Sequence, residues 1–325
     1  MLNDLIDGIS RRLERRIPMK ICMMGPRAVG KTTVLTAVFA NANSEISTTT
    51  NLLIHPIGDT EKDLYNKKME LSSIFQNRKN ITDKPEAGIA ASSTINTFDF
   101  TFGLKGKNPR IDLNIKDFPG EYVMTRPNDV TSFINESNAI LIAIDTPHLM
   151  EYDGKYCEPK NHPADITAFF KNAIPQISGE RLVLLVPLKC EKYWYENRGA
   201  EVLMRVEEAY KDLIALLKET KRIACAVTPI LTLGDVVYNH MVEENGMVKV
   251  DDAGCPMGIE YKFRTPEAEY NPMFCAQPLY YTLSFLASMY KRQRAKANII
   301  NKVLNSMLFG LFDKDESLYD EIWSL

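Results

Sequence analysis

The sequence lacks any pairing of cysteines. Its six, at positions 22, 157, 190, 225, 255 and 275, are scattered without a C-x-x-C, and several stand inside apolar runs where a free thiol behaves as a small hydrophobe. That usage argues against a disulfide framework and suits a reduced, cytoplasmic setting. The nearest approach to a zinc set, His148, Cys157 and His162, falls within one loop and without ligand spacing. Basic excess is missing too: 39 Lys and Arg stand against 42 Asp and Glu, a net charge of −3. No global field attracts nucleic acid or an anionic membrane, so neither is the expected partner. The first 18 residues contain no continuous apolar region, which excludes a signal peptide and an integral membrane span there. There is no internal repeat and no low-complexity tract.

What is present is ample core material, 45% hydrophobic residues in 325, enough for one large domain or two small ones. Residues 1–18 place Leu2, Leu5, Ile6, Ile9 and Leu13 at helical spacing before Pro18, an amphipathic helix that packs on its own domain or, alternatively, binds a partner or a membrane surface. From 19 to 235 apolar strand patterns alternate with helix patterns: MKICMMG, NAILIAID, RLVLLVPL and RIACAVTPIL read as strands, and GKTTVLTAVFAN, ADITAFFKNAIPQIS and GAEVLMRVEEAYKDLIALLKET as helices. This order predicts βαβ units and a mostly parallel sheet covered on both faces. TFDFTFGL and RIDLNIKDF, joined by KGKNP, predict one antiparallel edge hairpin. A helical insert is expected at about 52–87. Residues 236–276, broken by glycines and prolines, predict an inserted hairpin lobe. A long helix from Gln277 and an acidic tail fill 277–325; the helix is expected to pack on the sheet, with a homodimer seam as the alternative.

GPRAVGKTT, Gly25 to Thr33, fits G-x-x-x-x-G-K-[ST] between a predicted strand and a predicted helix, the context that a phosphate-binding loop requires. Gly25 and Gly30 let backbone N–H groups curl around phosphates, and Pro26, Arg27, Ala28 and Val29 complete the loop. Lys31 brings a cation to the outer phosphates, Thr32 offers a hydroxyl to Mg²⁺, and Thr33 continues the helix whose N-terminus favours anions. The fold class implied is a three-layer α/β P-loop NTPase sandwich. Such a loop needs a carboxylate at a neighbouring strand end to hold the metal. RIDLNIKDFPGE supplies Asp117, followed three residues later by Gly120.

This D-x-x-G, downstream of the P-loop and at the end of a hairpin strand, resembles the motif of the Ras-like, translation-factor-related class of GTPases. The resemblance runs from about Met19 to Leu233, with the helix after Gln277 as the last element, and bacterial members of the class look similar in carrying such inserts. It implies GTP or GDP with Mg²⁺ as ligands, a Gly120 amide on the γ-phosphate, and a switch that presents its state to a protein effector or regulator. The residue that aims the attacking water, usually glutamine, is here Glu121, which accepts but cannot donate a hydrogen bond when ionised; slow hydrolysis, or hydrolysis helped by a partner, is the expectation. Lys31 and Glu121 are thus the candidate catalytic residues. The resemblance also implies a switch hydroxyl on Mg²⁺, for which Thr94 is favoured over Ser92, Ser93, Thr97 and the STTTN at 47–51. The base-reading sequence [N/T]-K-x-D has its counterpart in Leu188-Lys189-Cys190-Glu191. Lys189 would lie along the purine and Glu191 would select guanine, with Thr228 the candidate of the last base-contacting loop. Two alternatives stand beside a GTP-dependent switch in signalling or a bacterial conflict system: an ATP-binding P-loop NTPase, and a non-catalytic scaffold that holds nucleotide as a structural ligand.

Overall fold

Alternate residues of Ile17–Met24 (β1) enter two different cores. Ile17, Met19, Ile21 and Met23 belong to one buried cluster, and Cys22 and Met24 to another, as the two-residue period of a strand buried on both faces requires. The same division holds in Ala139–Asp145 (β6) and Arg181–Leu188 (β7), every residue of which is buried. The structure is a computed structural model and describes residues 16–41, 52–77, 81–82, 95–106 and 108–293. The expected N-terminal helix lies outside these residues, apart from its last three; the strand already begins at Ile17. Pro18 therefore sits in a strand and does not close a helix. It is tolerated because β6 pairs with β1 only from Ile21 onward, so the missing N–H has no ladder to break on that side.

Seven strands form the main sheet in the order β2-β4-β5-β1-β6-β7-β8, where β2 is Leu52–Pro56, β4 Asn96–Leu104, β5 Ile111–Asp117 and β8 Ile223–Val227. Strands β5, β1, β6, β7 and β8 run parallel, and β4 is antiparallel to both its neighbours. The chain thus has the mostly parallel three-layer α/β architecture that the alternation predicts. The hairpin is not the edge, however. Residues 52–56, expected inside a helical insert, form β2 and cover β4, because Ile54 extends the apolar face where a helix would have left β4 unpaired. Helix α1, Lys31–Asn41, and helix α2, Asp59–Asn77, pack on one face. The opposite face carries Pro127–Glu136 (α3), Pro163–Ala173 (α4), Gly199–Ala209 (α5) and Lys211–Glu219 (α6). The single long helix expected over 199–220 is therefore two. Tyr210 leaves helical geometry at φ −107°, ψ 16°, and its fully buried ring enters the core while its hydroxyl donates to the Asn161 carbonyl at 3.4 Å.

The final described helix, Gln277–Gln293 (α7), buries Leu279, Leu283 and Leu286 in the first cluster. A second sheet of three strands, Ile81–Thr82 (β3), Ile259–Phe263 (β12) and Val236–Met241 (β9), joins residues far apart in sequence. The region after α2 and the 236–276 segment, separate additions in the sequence, thus share one sheet. Between β9 and β12, Glu243–Glu244 (β10) and Met247–Val248 (β11) make a small ribbon. No helix among the described residues is long and apolar enough to cross a membrane.

Candidate functional site

The P-loop follows β1 directly. Gly25 has φ +142°, and a side chain there would meet the Ala143 carbonyl oxygen at 2.6 Å, so only glycine fits. Ala28, at φ +59°, takes the left-handed conformation at a cost of roughly 1–2 kcal/mol. Pro26 and Val29 are buried, Arg27 and Ala28 exposed. Gly30, at φ +105°, leads into α1, where Val34 N–H donates to its carbonyl. Lys31, buried, donates from Nζ to the Gly25 and Pro26 carbonyls at 3.1 and 3.3 Å, which holds the ammonium inside the loop it closes. Thr33 follows in the first turn of α1, half-buried.

Asp117 ends β5 beside β1, in register with Met23. Its Oδ2 accepts from Thr32 Oγ1 at 3.3 Å, and its Oδ1 lies 3.8 Å from Lys31 Nζ. Burial lowers the Lys31 pKa and raises that of Asp117; each charge is desolvated by more than their mutual contact restores. Asp117 Oδ1 is buried and has no hydrogen-bond partner. A hydroxyl and an orphaned carboxylate oxygen are the hard donors that a magnesium ion takes, together with water and phosphate oxygens. Gly120 lies against the P-loop: a Cβ on it would meet the Gly25 carbonyl oxygen at 2.5 Å and the Arg27 nitrogen at 3.2 Å. Glu121, next in the chain, is exposed and precedes a helical turn, Tyr122–Thr125. Thr94, with Ser92, Ser93 and STTTN, lies outside the described residues; Thr97 belongs to β4.

At the end of β7, Lys189 adopts φ +59° and is buried. Its Nζ donates to Asp145 Oδ2 at 2.8 Å and stands 5.8 Å from the Tyr261 ring centroid in β12. Glu191 is not in an open loop, as its position after a strand suggested, but opens a short helix, Glu191–Tyr195. Its carboxylate accepts the Leu233 N–H at 2.9 Å and is 2% exposed. Burial drives its pKa up to about 7, against the pull of the Leu233 and Thr232 amides. Thr228 is wholly buried and donates to Gln277 Oε1 at 2.6 Å. It joins β8 to α7, and Leu185 accepts its backbone N–H at 2.9 Å.

Sequence reasoning missed Asp145, which only the register reveals: it ends β6 directly opposite Leu188. Its Oδ1 accepts from His148 Nδ1 at 2.6 Å, and Asn161 clamps its peptide by accepting the N–H at 2.7 Å and donating to the carbonyl at 3.0 Å. Burial alone would raise the Asp145 pKa, but Lys189 and His148 beside it hold it well below the ordinary carboxylate range. The signal available was a carboxylate closing an all-apolar strand, NAILIAID. One residue from Asn161, Lys160 reaches across to the P-loop and donates to the Arg27 carbonyl at 3.1 Å. His148 is thus engaged with Asp145 and His162 with Asp165 at 3.4 Å, and no three His, Cys, Asp or Glu side chains among the described residues converge as a metal cage.

No family model matches this chain, and no curated protein matches it. Among solved structures it is similar to the S. cerevisiae Ski7 GTPase-like domain bound to GTP, at 13% identity and a TM-score of 0.44, covering 85% of this chain and 52% of that one. The same domain bound to GDP and inorganic phosphate aligns at 14% identity and a TM-score of 0.36, over 69% of this chain and 45% of that one. The SRb-GTP/SRX complex of the signal recognition particle receptor from Chaetomium thermophilum aligns at 14% identity and a TM-score of 0.38, over 66% of this chain and 94% of that one. The chain spans about half the length of the Ski7 chains.

Proposed function

We propose that this protein is a Mg²⁺-dependent guanine-nucleotide-binding protein that hydrolyses GTP slowly and acts as a switch read by a protein effector. The observation that carries the reading is the meeting of three parts in one place: the Lys31 cradle, the Thr32–Asp117 pair with its orphaned oxygen, and Gly120 packed on Gly25. Phosphates enter at the N-terminus of α1, where Lys31 neutralises their outer charge and backbone N–H groups orient them. Thr32 and Asp117 would hold Mg²⁺, which when bound would supply further charge neutralisation on those phosphates. Glu121 is exposed next to Gly120, in place to accept a hydrogen bond from water without donating one. Glu191 as a carboxylate offers acceptors to the two N–H groups of the guanine edge.

One observation favours a second reading, a P-loop NTPase that takes adenine nucleotides as well: Lys189 and Glu191 already hold protein partners, Asp145 and the Leu233 amide. Titrating labelled GDP and ADP with Mg²⁺ against wild type and Glu191→Ala separates the two. Preference for GDP that disappears in the variant supports guanine reading, and equal affinities in wild type refute it. Phosphate release from GTP, measured for wild type and Glu121→Ala, tests hydrolysis; its absence in wild type would turn the switch into a scaffold.

A further inference from the structure

The segment between β6 and α4 carries Lys160, whose Nζ donates to the Arg27 carbonyl at 3.1 Å across 133 residues of sequence. The peptides of the described residues are trans, and in a trans peptide the C=O and the following N–H point in opposite directions. Fixing the Arg27 oxygen toward Lys160 therefore turns the Ala28 N–H the other way, in a residue that sits in the left-handed region at φ +59°. Lys160 is itself held from behind. Its neighbour Asn161, 1% exposed, holds both the backbone N–H and the backbone carbonyl of Asp145, and Asp145 pairs with Lys189 at the end of β7.

We infer that Lys160 is a positioning residue of the nucleotide site: it holds the Arg27–Ala28 peptide with the Ala28 N–H aimed at the phosphates, and through Asn161 and Asp145 it ties the phosphate loop to Lys189 at the end of β7. This rests on the proposed phosphate-binding role of Gly25–Thr33. It adds to that role a reason for the left-handed conformation of Ala28. Lys160 is only half-buried, so its removal leaves the core intact.

The test compares wild type, Lys160→Met and Lys160→Arg, first without nucleotide by amide hydrogen exchange over residues 25–31, then by the dissociation rate of labelled GDP with Mg²⁺. Positioning predicts faster exchange in the loop of the free Lys160→Met protein, an unchanged melting temperature, and nucleotide released about tenfold faster, the factor that a hydrogen bond to a charged group commands; Lys160→Arg restores both. Unaltered exchange with accelerated release would make Lys160 a direct phosphate ligand and overturn the positioning role. Unaltered exchange and release would overturn it as well. A wild type that binds no nucleotide sinks the proposed function, while the exchange measurement still decides whether Lys160 orders the loop.

Discussion

Glu191 is a buried carboxyl whose pKa, pushed up to about 7 from 4.5, makes it a source of pH dependence. A carboxyl with a raised folded-state pKa stabilises the fold fully below the unfolded value and loses that contribution as pH rises through the folded one. Between about pH 4.5 and 7 its share of folding stability should fall by on the order of 3 kcal/mol. Urea unfolding of wild type and Glu191→Gln across this range should show the difference converging at low pH and the glutamine variant gaining relative to wild type toward pH 8. If the two curves stay parallel, Glu191 is ionised throughout. If Glu191 reads guanine as proposed, GDP affinity should climb through pH 7 in wild type and not in Glu191→Gln, because only the ionised carboxylate offers both its oxygens as acceptors to the two guanine N–H groups. Gly120 gives a steric counterpart: Gly120→Ala places a Cβ 2.5 Å from the Gly25 oxygen, so the two loops must separate. Mg²⁺-dependent nucleotide binding, followed by calorimetry, should weaken at least about tenfold, the loss of a single charged-group hydrogen bond; unchanged affinity would show that the loops do not act together.

Elements that are long and periodic were legible in the sequence. The all-apolar runs of β6 and β7, alternating with helix patterns, pointed to a doubly covered sheet, and the glycine motif marked the loop between β1 and α1. Less legible were elements decided by partners distant in the chain. Leu52–Pro56 became a strand because β4 offered an unpaired edge, and the helix over 199–219 broke because the ring of Tyr210 had a core to enter. Asp145 went unnoticed for the same reason, since its importance lies in standing opposite Leu188 across two strands. Helix α7 illustrates the energetics at this scale. Leu283 is fully buried among the strands and α1, and Leu283→Ala should lower the unfolding free energy by about 2–5 kcal/mol in chemical denaturation. A loss under about 0.5 kcal/mol, the range of exposed substitutions, would mean that α7 is not part of the sheet's cover.

In the whole molecule, two additions that the sequence separates by more than a hundred residues act as one lobe. Phe75 of α2 meets Phe263 with ring centroids 5.7 Å apart and Tyr270 at 5.6 Å, both edge-on, and β3 pairs with β12. The lobe in turn leans on the segment that follows β7, with Tyr261 near Lys189 and the Lys192 ammonium 4.9 Å from the Tyr238 ring centroid. Edge-to-face aromatic pairs contribute about 0.5–1.5 kcal/mol beyond their buried area. A double-mutant cycle of Phe75→Leu and Phe263→Leu should therefore return a coupling energy in that range, and it should vanish if α2 and β12 stabilise the fold independently. Because β12 also carries Tyr261, hydrogen exchange of Phe75→Leu should rise in two places at once, over 259–263 and over 188–191, whereas a lobe unconnected with the end of β7 would loosen only in the first.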